Sequence, residues 1–266
     1  MTSTAVLDSI PTHTESIYRS AFSTWDRKAS VRSFPSSNDD NLKQYSGYWM
    51  PLTDDSILNH PMVSDEIKQK LSAYLLIGNL DFTYSLEQCL IAQVSANLAA
   101  GKLLSQLPQA VKIDALRVQC DEAYHAIQAY NLTEGVRHAA DIKAPMKLDS
   151  HFLRFVDHST DGRIPLPEDL IRFCAVAVSE ILITKSLRDD WRDISLPKEI
   201  RSFFREHHKD EARHMAYYTW LLEQLWQVWP SPTREIMATL WPQFVDAYLD
   251  SEIYIARDAL QHFEFS

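Results

Sequence analysis

Glycine is scarce, with five residues in a chain of 266. The β-branched, turn-punctuated rhythm of strands is missing as well, so the composition points away from sheets and toward an all-helical protein. Cysteine is nearly absent: Cys89, Cys120 and Cys174 are odd in number and widely spaced. That excludes a disulfide framework and predicts reduced thiols. No segment approaches the ~20 apolar residues of a membrane span, and residues 1–11 lack the basic start and apolar run of a signal peptide, so a cytoplasmic location and no membrane partner are expected. An excess of positive charge is missing too. The formal net charge is −10, with acidic and basic residues interspersed, which argues against nucleic acid or an anionic membrane as a partner.

Hydrophobic residues make up 45% of the chain, enough for one sizeable core, and no shift of composition divides it. The expectation is a single domain, 1–266. Within it, 1–60 is read as an N-terminal helix and a covering loop, 64–229 as the ligand-bearing core, and 231–263 as a C-terminal helix. The first helix is expected over 15–32, with Ile17, Phe22 and Trp25 on its buried side. The loop 33–61 carries Tyr45, Tyr48 and Trp49, which suit a segment that packs down on the bundle. Ser64 is a good N-cap for a helical stretch reaching about 106, with a break expected at 78–81 because forty residues is long for one helix. Further helices are expected over 113–140, around Phe152, Phe155 and Val156, from Pro167 to about 188, from Pro197 to about 229, and from Ser231 to about 263.

The chemistry concentrates in His207-His208-Lys209-Asp210-Glu211-Ala212-Arg213-His214. At about 100° per residue, His207, Glu211 and His214 fall within an arc of roughly 60°, so the three can address one point. A zinc protease would need His-Glu-x-x-His, which does not stand here. Glu122 and His125 repeat the Glu-x-x-His spacing, and each pair is preceded by a lone glutamate in an apolar run, Glu87 and Glu180. Four helices then present one carboxylate each, and two add a histidine one turn on, as in ferritin-like di-iron and di-manganese carboxylate bundles. An ionised carboxylate in an apolar stripe is costly unless it is paired or binds a metal, and four aimed at one core repel unless cations neutralise them. Buried ion pairs with Arg or Lys are the alternative. Mixed carboxylate and imidazole donors without thiolate suit iron, with manganese as a second choice. Cys89 and Cys120, two residues from a ligand glutamate, are expected to face away as small fillers between helices. His207 has no counterpart in the first half, where Val118 stands four residues before Glu122. It reads as an extra donor on the same face, with a solvent-facing residue near the helix start as the alternative.

These residues resemble the di-iron arylamine N-oxygenases typified by p-aminobenzoate N-oxygenase. The family's order of lone Glu, Glu-x-x-His, lone Glu and His-x-x-x-Glu-x-x-His falls here on Glu87, Glu122 with His125, Glu180, and His207 with Glu211 and His214. Upstream, Tyr48-Trp49-Met50-Pro51 and Leu58-Asn59-His60-Pro61 extend the likeness, which covers roughly 45–225. The resemblance implies a ferritin-like bundle with a central four-helix di-metal core plus extra N- and C-terminal helices. It also implies two irons, O2 and an external electron donor such as a ferredoxin or a small reductant. The activity implied is oxygenation of an amine through hydroxylamine to a nitroso or nitro product, in secondary metabolism, by a homodimer. Helix geometry offers Thr83, one turn before Glu87, and Thr184, one turn after Glu180, as substrate-wall candidates, each equally suited to helix packing. About fifty residues follow His214 and no carboxylate-binding Arg can be placed, so a smaller or differently charged amine is expected. Other readings stay open. They are another ferritin-like or heme-oxygenase-like di-iron oxidase acting on C–H bonds, a ferroxidase or iron-storage bundle, and a helical interaction protein without metal.

Overall fold

The computed structural model describes residues 18–33, 42–43, 45–51, 63–143 and 150–263, the side chains of 184–186 and 188–190 excepted. Ile17, Leu58, Asn59, His60, Pro61 and the side chain of Thr184 lie outside the described residues. The described residues are helical, in the order α1 (Trp25–Lys28), α2 (Ser30–Ser33), α3 (Asp65–Leu86), a π-helical turn (Glu87–Ile91), α4 (Ala92–Ala99), α5 (Gln109–Ala140), α6 (His151–Ser159), α7 (Glu168–Asp190), α8 (Lys198–Val228) and α9 (Ser231–His262). They include no strand.

Two helical hairpins build the core. The rod α3–π–α4 returns as α5, α7 returns as α8, and α5 meets α8 across the middle, while α9 lies against α3, α6 and α7. Ser64 starts α3 as its composition predicts, accepting the Ile67 N–H at its side-chain oxygen. The hairpin turn into α5 relies on Gly101. Its φ of +66° lets the Lys102 N–H reach back to the Asn97 carbonyl and close α4. Leu71, Leu76, Leu80, Leu86, Leu90, Val118, Phe173, Tyr218 and Phe244 are among the side chains that fill the space between the rods.

Two expectations fail for physical reasons. No break occurs at 78–81, where α3 is continuous, because Gly78 serves a close approach instead: a Cβ there would stand 2.5 Å from Cγ2 of Ile255 on α9. The irregularity falls one turn later, in the π-helical turn that begins at Glu87 itself. Over its described part, 18–32, the expected helix is instead two short turns, α1 and α2, divided at Ala29, whose ψ of 144° is extended. The loop residues 42–51 do pack down. Leu42 and Trp49 are buried, the Trp49 N–H donates to Ser72 Oγ at 3.0 Å, and the Tyr45 hydroxyl donates to the Tyr48 carbonyl at 2.7 Å.

Candidate metal centre

The four core rods each bring carboxylates inward, and the structure gathers all seven expected ligands into two overlapping groups. Glu87, His125, His207 and Glu211 form the first; Glu122, Glu180, Glu211 and His214 form the second. Within each group the facing atoms lie within 4.8 Å of one another, and Glu211 belongs to both. All seven residues are buried. The donors are not sorted by chain half: Glu122 and His125, one turn apart on α5, serve different groups.

The facing atoms of each group converge on one space. In the first group, His207 Nε2 stands 3.0 Å from Oε1 of both Glu87 and Glu211, and His125 Nδ1 lies 3.3 Å from Glu211 Oε1. In the second, His214 Nδ1 is 2.7 Å from Glu122 Oε1, 3.5 Å from Glu211 Oε1 and 3.7 Å from Glu180 Oε2. Close as they are, both oxygens of Glu87 and of Glu122, and the inward nitrogens of His125, His207 and His214, lack a hydrogen bond of proper geometry. Buried polar atoms are rarely left so. Buried donors that converge on a shared space are what a bound cation satisfies.

Electrostatics agree. Burial raises the Glu122 carboxyl to about 7, with the charge of Glu211 adding to it against His214. Burial and then Glu211 push Glu180 well above the carboxylate range, and burial raises Glu87 against the pull of His207 and His125. Glu211 behaves oppositely. Burial pushes it up, but His214, His125 and His207 together hold it well below. Without cations, then, the histidines favour the charged form of the shared carboxylate, while burial disfavours the charged form of the outer three. Two divalent cations would balance all four carboxylates ionised, and mixed O/N donors without sulfur suit iron or manganese. The residues present fit such a pair.

The imidazoles are braced from behind, and here sequence reasoning missed residues. His125 Nε2 meets Asp210 Oδ2 at 3.0 Å, and His214 Nε2 meets Asp121 Oδ2 at 3.2 Å. The bracing is crossed, because Asp210 on α8 holds a histidine of α5 and Asp121 on α5 holds one of α8. Such outer carboxylates fix the tautomer and ring orientation of a ligating histidine. Each aspartate is held in turn by the N-terminal turns. Trp25 Nε1 donates to both oxygens of Asp121 at 2.8 and 2.9 Å, and the Ser30 N–H donates to Asp210 Oδ2 at 3.0 Å. This explains the interruption at Ala29: in a continuous helix the Ser30 N–H would bond Asp26, and the extended residue frees it for Asp210. Arg213 pairs with Asp210 and lies 3.8 Å from Asp121. The signal was legible as an Asp before each ligand Glu, in Asp121-Glu122-x-x-His125 and Asp210-Glu211-x-x-His214. His207 has no such brace. Its Nδ1 has no hydrogen-bond partner, and packing holds the ring, edge-on to Phe203 at 5.3 Å and beside His125 at 4.1 Å.

Other candidates stand apart. Thr83 is half-buried, and its carbonyl accepts the Glu87 N–H. Cys89 and Cys120 do face away from the ligands, yet both are exposed, so they are not fillers between helices; Cys174 is the buried thiol. The cationic residues Arg192, Lys198, Arg201 and Arg205 line a 420 Å³ surface cavity at the α7–α8 turn, and none of its lining residues is a metal-facing one.

A family model described as P-aminobenzoate N-oxygenase AurF matches residues 25–265. That span takes in α1, α2 and α9, beyond the 45–225 over which the motifs carry the likeness. No curated protein matches the chain.

Proposed function

The chain belongs to the p-aminobenzoate N-oxygenase AurF family and is an oxidase-type enzyme with a ferritin-like di-metal bundle; from that premise we propose that it oxygenates the nitrogen of a small-molecule amine. The observation that carries the proposal is His207, a third buried imidazole at a carboxylate centre. It sets this centre apart from the four-carboxylate, two-histidine pattern of the broader class. In the first step an amine, O2, two electrons and two protons give a hydroxylamine and water, and further oxygenation leads to a nitroso or nitro group. An iron pair supplies the O2 chemistry when bound, and an external donor, a ferredoxin or a small reductant, supplies the electrons. The substrate is an aryl or small alkyl amine.

The chain's own residues perform the remaining tasks. Glu87, Glu122, Glu180 and Glu211 set the charge of the centre, and Glu211 ties its two halves together. Asp121 and Asp210 meet Nε2 of His214 and His125 and so orient both rings with Nδ1 facing inward, where a cation would be held. Phe22, stacked on His214 at 6.0 Å, and Phe203 beside His207 keep water from the rings. The buried hydroxyls of Tyr217 and Tyr218 are held neutral, burial raising both, and are engaged by the Val111 carbonyl and Ser95 Oγ. They add no charge to the centre.

A single-turnover assay tests this. The protein is loaded with Fe(II) and exposed to 18O2 with a panel of aryl and alkyl amines and C–H substrates, and products are read by mass spectrometry. Labelled hydroxylamine, nitroso or nitro product is expected. Oxygen in a C–H substrate and in none of the amines would overturn the assignment in favour of a hydroxylase of the same fold.

A further inference from the structure

The two braces behind the histidines end differently. Asp210 leads from His125 to a backbone N–H, that of Ser30, and to the guanidinium of Arg213. Asp121 leads from His214 to an aromatic ring. The indole N–H of Trp25 donates to both Asp121 oxygens, at 2.8 and 2.9 Å, and Oδ2 of the same carboxylate lies 3.2 Å from His214 Nε2. Trp25 is half-buried, so part of its ring reaches the surface. One carboxylate, bonded on both sides, is all that separates this indole from the imidazole whose Nδ1 faces the second metal position. Other rings beside the ligands are closed in: Phe22 on His214 and Phe203 beside His207 are both buried.

The surface around Trp25 has a charge of its own. Residues 18–33 carry Arg19, Arg27, Lys28 and Arg32, all exposed, against the single acid Asp26, in a chain whose formal charge is −10. Such a chain repels an acidic protein over most of its surface, and a local basic face decides where one can approach. Spread along two turns, these cations offer a partner a face, whereas a small anion would select a few converging groups. Arg32 and Arg117 stand over the indole itself, 6.0 and 5.9 Å from its centroid. Two cations there make loss of an electron from the ring harder, which suits a ring that passes an electron on and keeps no oxidising equivalent. We infer that electrons enter the metal centre at Trp25, from an acidic one-electron carrier protein of the iron–sulfur class docked on the basic face of 18–33, and travel through Asp121 and His214. In each encounter one electron leaves the carrier's reduced cluster and passes to the ferric pair, while Trp25, Asp121 and His214 end with the charge and protons they began with. Two encounters supply the two electrons that one O2 consumes in the step above. The inference rests on the oxidase reading of the centre and not on the amine, since a C–H substrate would draw the same electrons.

The test follows the iron instead of the product, so failure of the amine assay leaves it standing. The full chain, loaded with ferric iron, is mixed without oxygen with a photoreduced acidic two-iron ferredoxin, and the loss of ferric absorbance is timed by stopped flow. Dithionite, which needs no docking, is the control reductant. The ferredoxin rate is expected to fall steeply as salt is raised. Arg27→Glu with Lys28→Glu slows it about tenfold or more at low salt, whereas Arg192→Glu with Lys198→Glu, at the cavity of the α7–α8 turn, leaves it unchanged. Trp25→Phe at matched iron content keeps the salt dependence but loses the parent's limiting rate at saturating ferredoxin, and dithionite reduces parent and variants alike. A parent chain that dithionite reduces and ferredoxin does not overturns the inference. So does a ferredoxin rate indifferent to salt or to the substitutions at Arg27 and Lys28, a rate that the α7–α8 substitutions slow instead, or a Trp25→Phe chain as fast as the parent.

Discussion

The two metal positions are built from nearly repeated sequence and come out unequal. Each half of the chain offers a lone glutamate and an Asp-Glu-x-x-His turn, yet the first position holds two imidazoles and two carboxylates and the second one imidazole and three carboxylates. The cause is visible. Glu211 is shared by both groups, but its counterpart Glu122 serves the second alone, and His207 fills the vacated place in the first. A neutral donor in place of an anionic one leaves the first position more electropositive and its cation less neutralised. The fold is therefore symmetric in its bracing and asymmetric in its charge. That difference is where function is to be sought.

The largest test of this comparison removes what the two positions share. Glu211→Ala is expected to abolish metal binding at both, because it deletes a donor from each group and leaves three buried imidazoles without the carboxylate that faces them all. Iron content after anaerobic reconstitution should fall from about two per chain to near zero, with the helical circular dichroism retained. One iron kept per chain would mean that Glu211 serves a single position.

His207→Ala separates the positions. Since no hydrogen bond anchors its outer nitrogen, its removal should cost the first position its metal with little structural damage, lowering content from about two to about one per chain. Unchanged content, with unchanged spectra of a cobalt-substituted protein, would remove His207 from the ligand set and with it the main support for amine chemistry.

How much of this the sequence discloses depends on the kind of signal. Glu87, Glu122, His125, Glu180, His207, Glu211 and His214 were legible because helical spacing places each on an inner face, and the structure brings all seven together. Their distribution between positions was not, since it depends on how four rods pack rather than on spacing along any one. Asp121 and Asp210 were overlooked because an Asp beside a Glu on a helix reads as a solvated charge; only the other helix's histidine gives it a partner. The turn at Ala29 was read as continuous helix for the same reason, as the Ser30 N–H is satisfied by a residue 180 positions away. Cys120 reads as a filler in the sequence because direction around a helix says which way a side chain faces and not whether anything covers it.

Acidity gives a smaller and more graded test. Burial and Glu211 raise Glu122 from the ordinary 4.5 to about 7 in the metal-free protein. A folded value above the unfolded one stabilises fully below about 4.5, and that contribution is lost as pH climbs through about 7. Glu87 and Glu180, also raised, act in the same sense; Glu211 and Asp210, lowered, lose their contribution only on the acid side of this window. The metal-free chain should therefore lose stability, on the order of a few kcal/mol, between about pH 5 and pH 7 in urea unfolding, while the metal-loaded chain, its carboxylates held ionised by cations, should not. Parallel slopes with and without metal would defeat the charge-balance argument for the centre.

The finest test compares the two braces. Asp210→Asn weakens the hold on His125 and so acts on the first position; Asp121→Asn does the same to His214 and the second. Loss of an outer carboxylate typically costs about 10–100-fold in metal affinity. The costs should not be equal, because the first position keeps His207 as a second imidazole while the second has His214 alone. Asp121→Asn is therefore expected at the upper end of that range and Asp210→Asn at the lower, read from a two-step metal titration. Combining Asp210→Asn with His207→Ala should cost the first position more than the two changes separately, since each removes what compensates for the other. Trp25→Phe goes further down the same line, taking only the donor from Asp121, and should weaken the second position alone and by less than Asp121→Asn. If Trp25→Phe loosened both positions alike, the N-terminal turns would have to brace the centre as one block, and the independence of the two positions would fail with it.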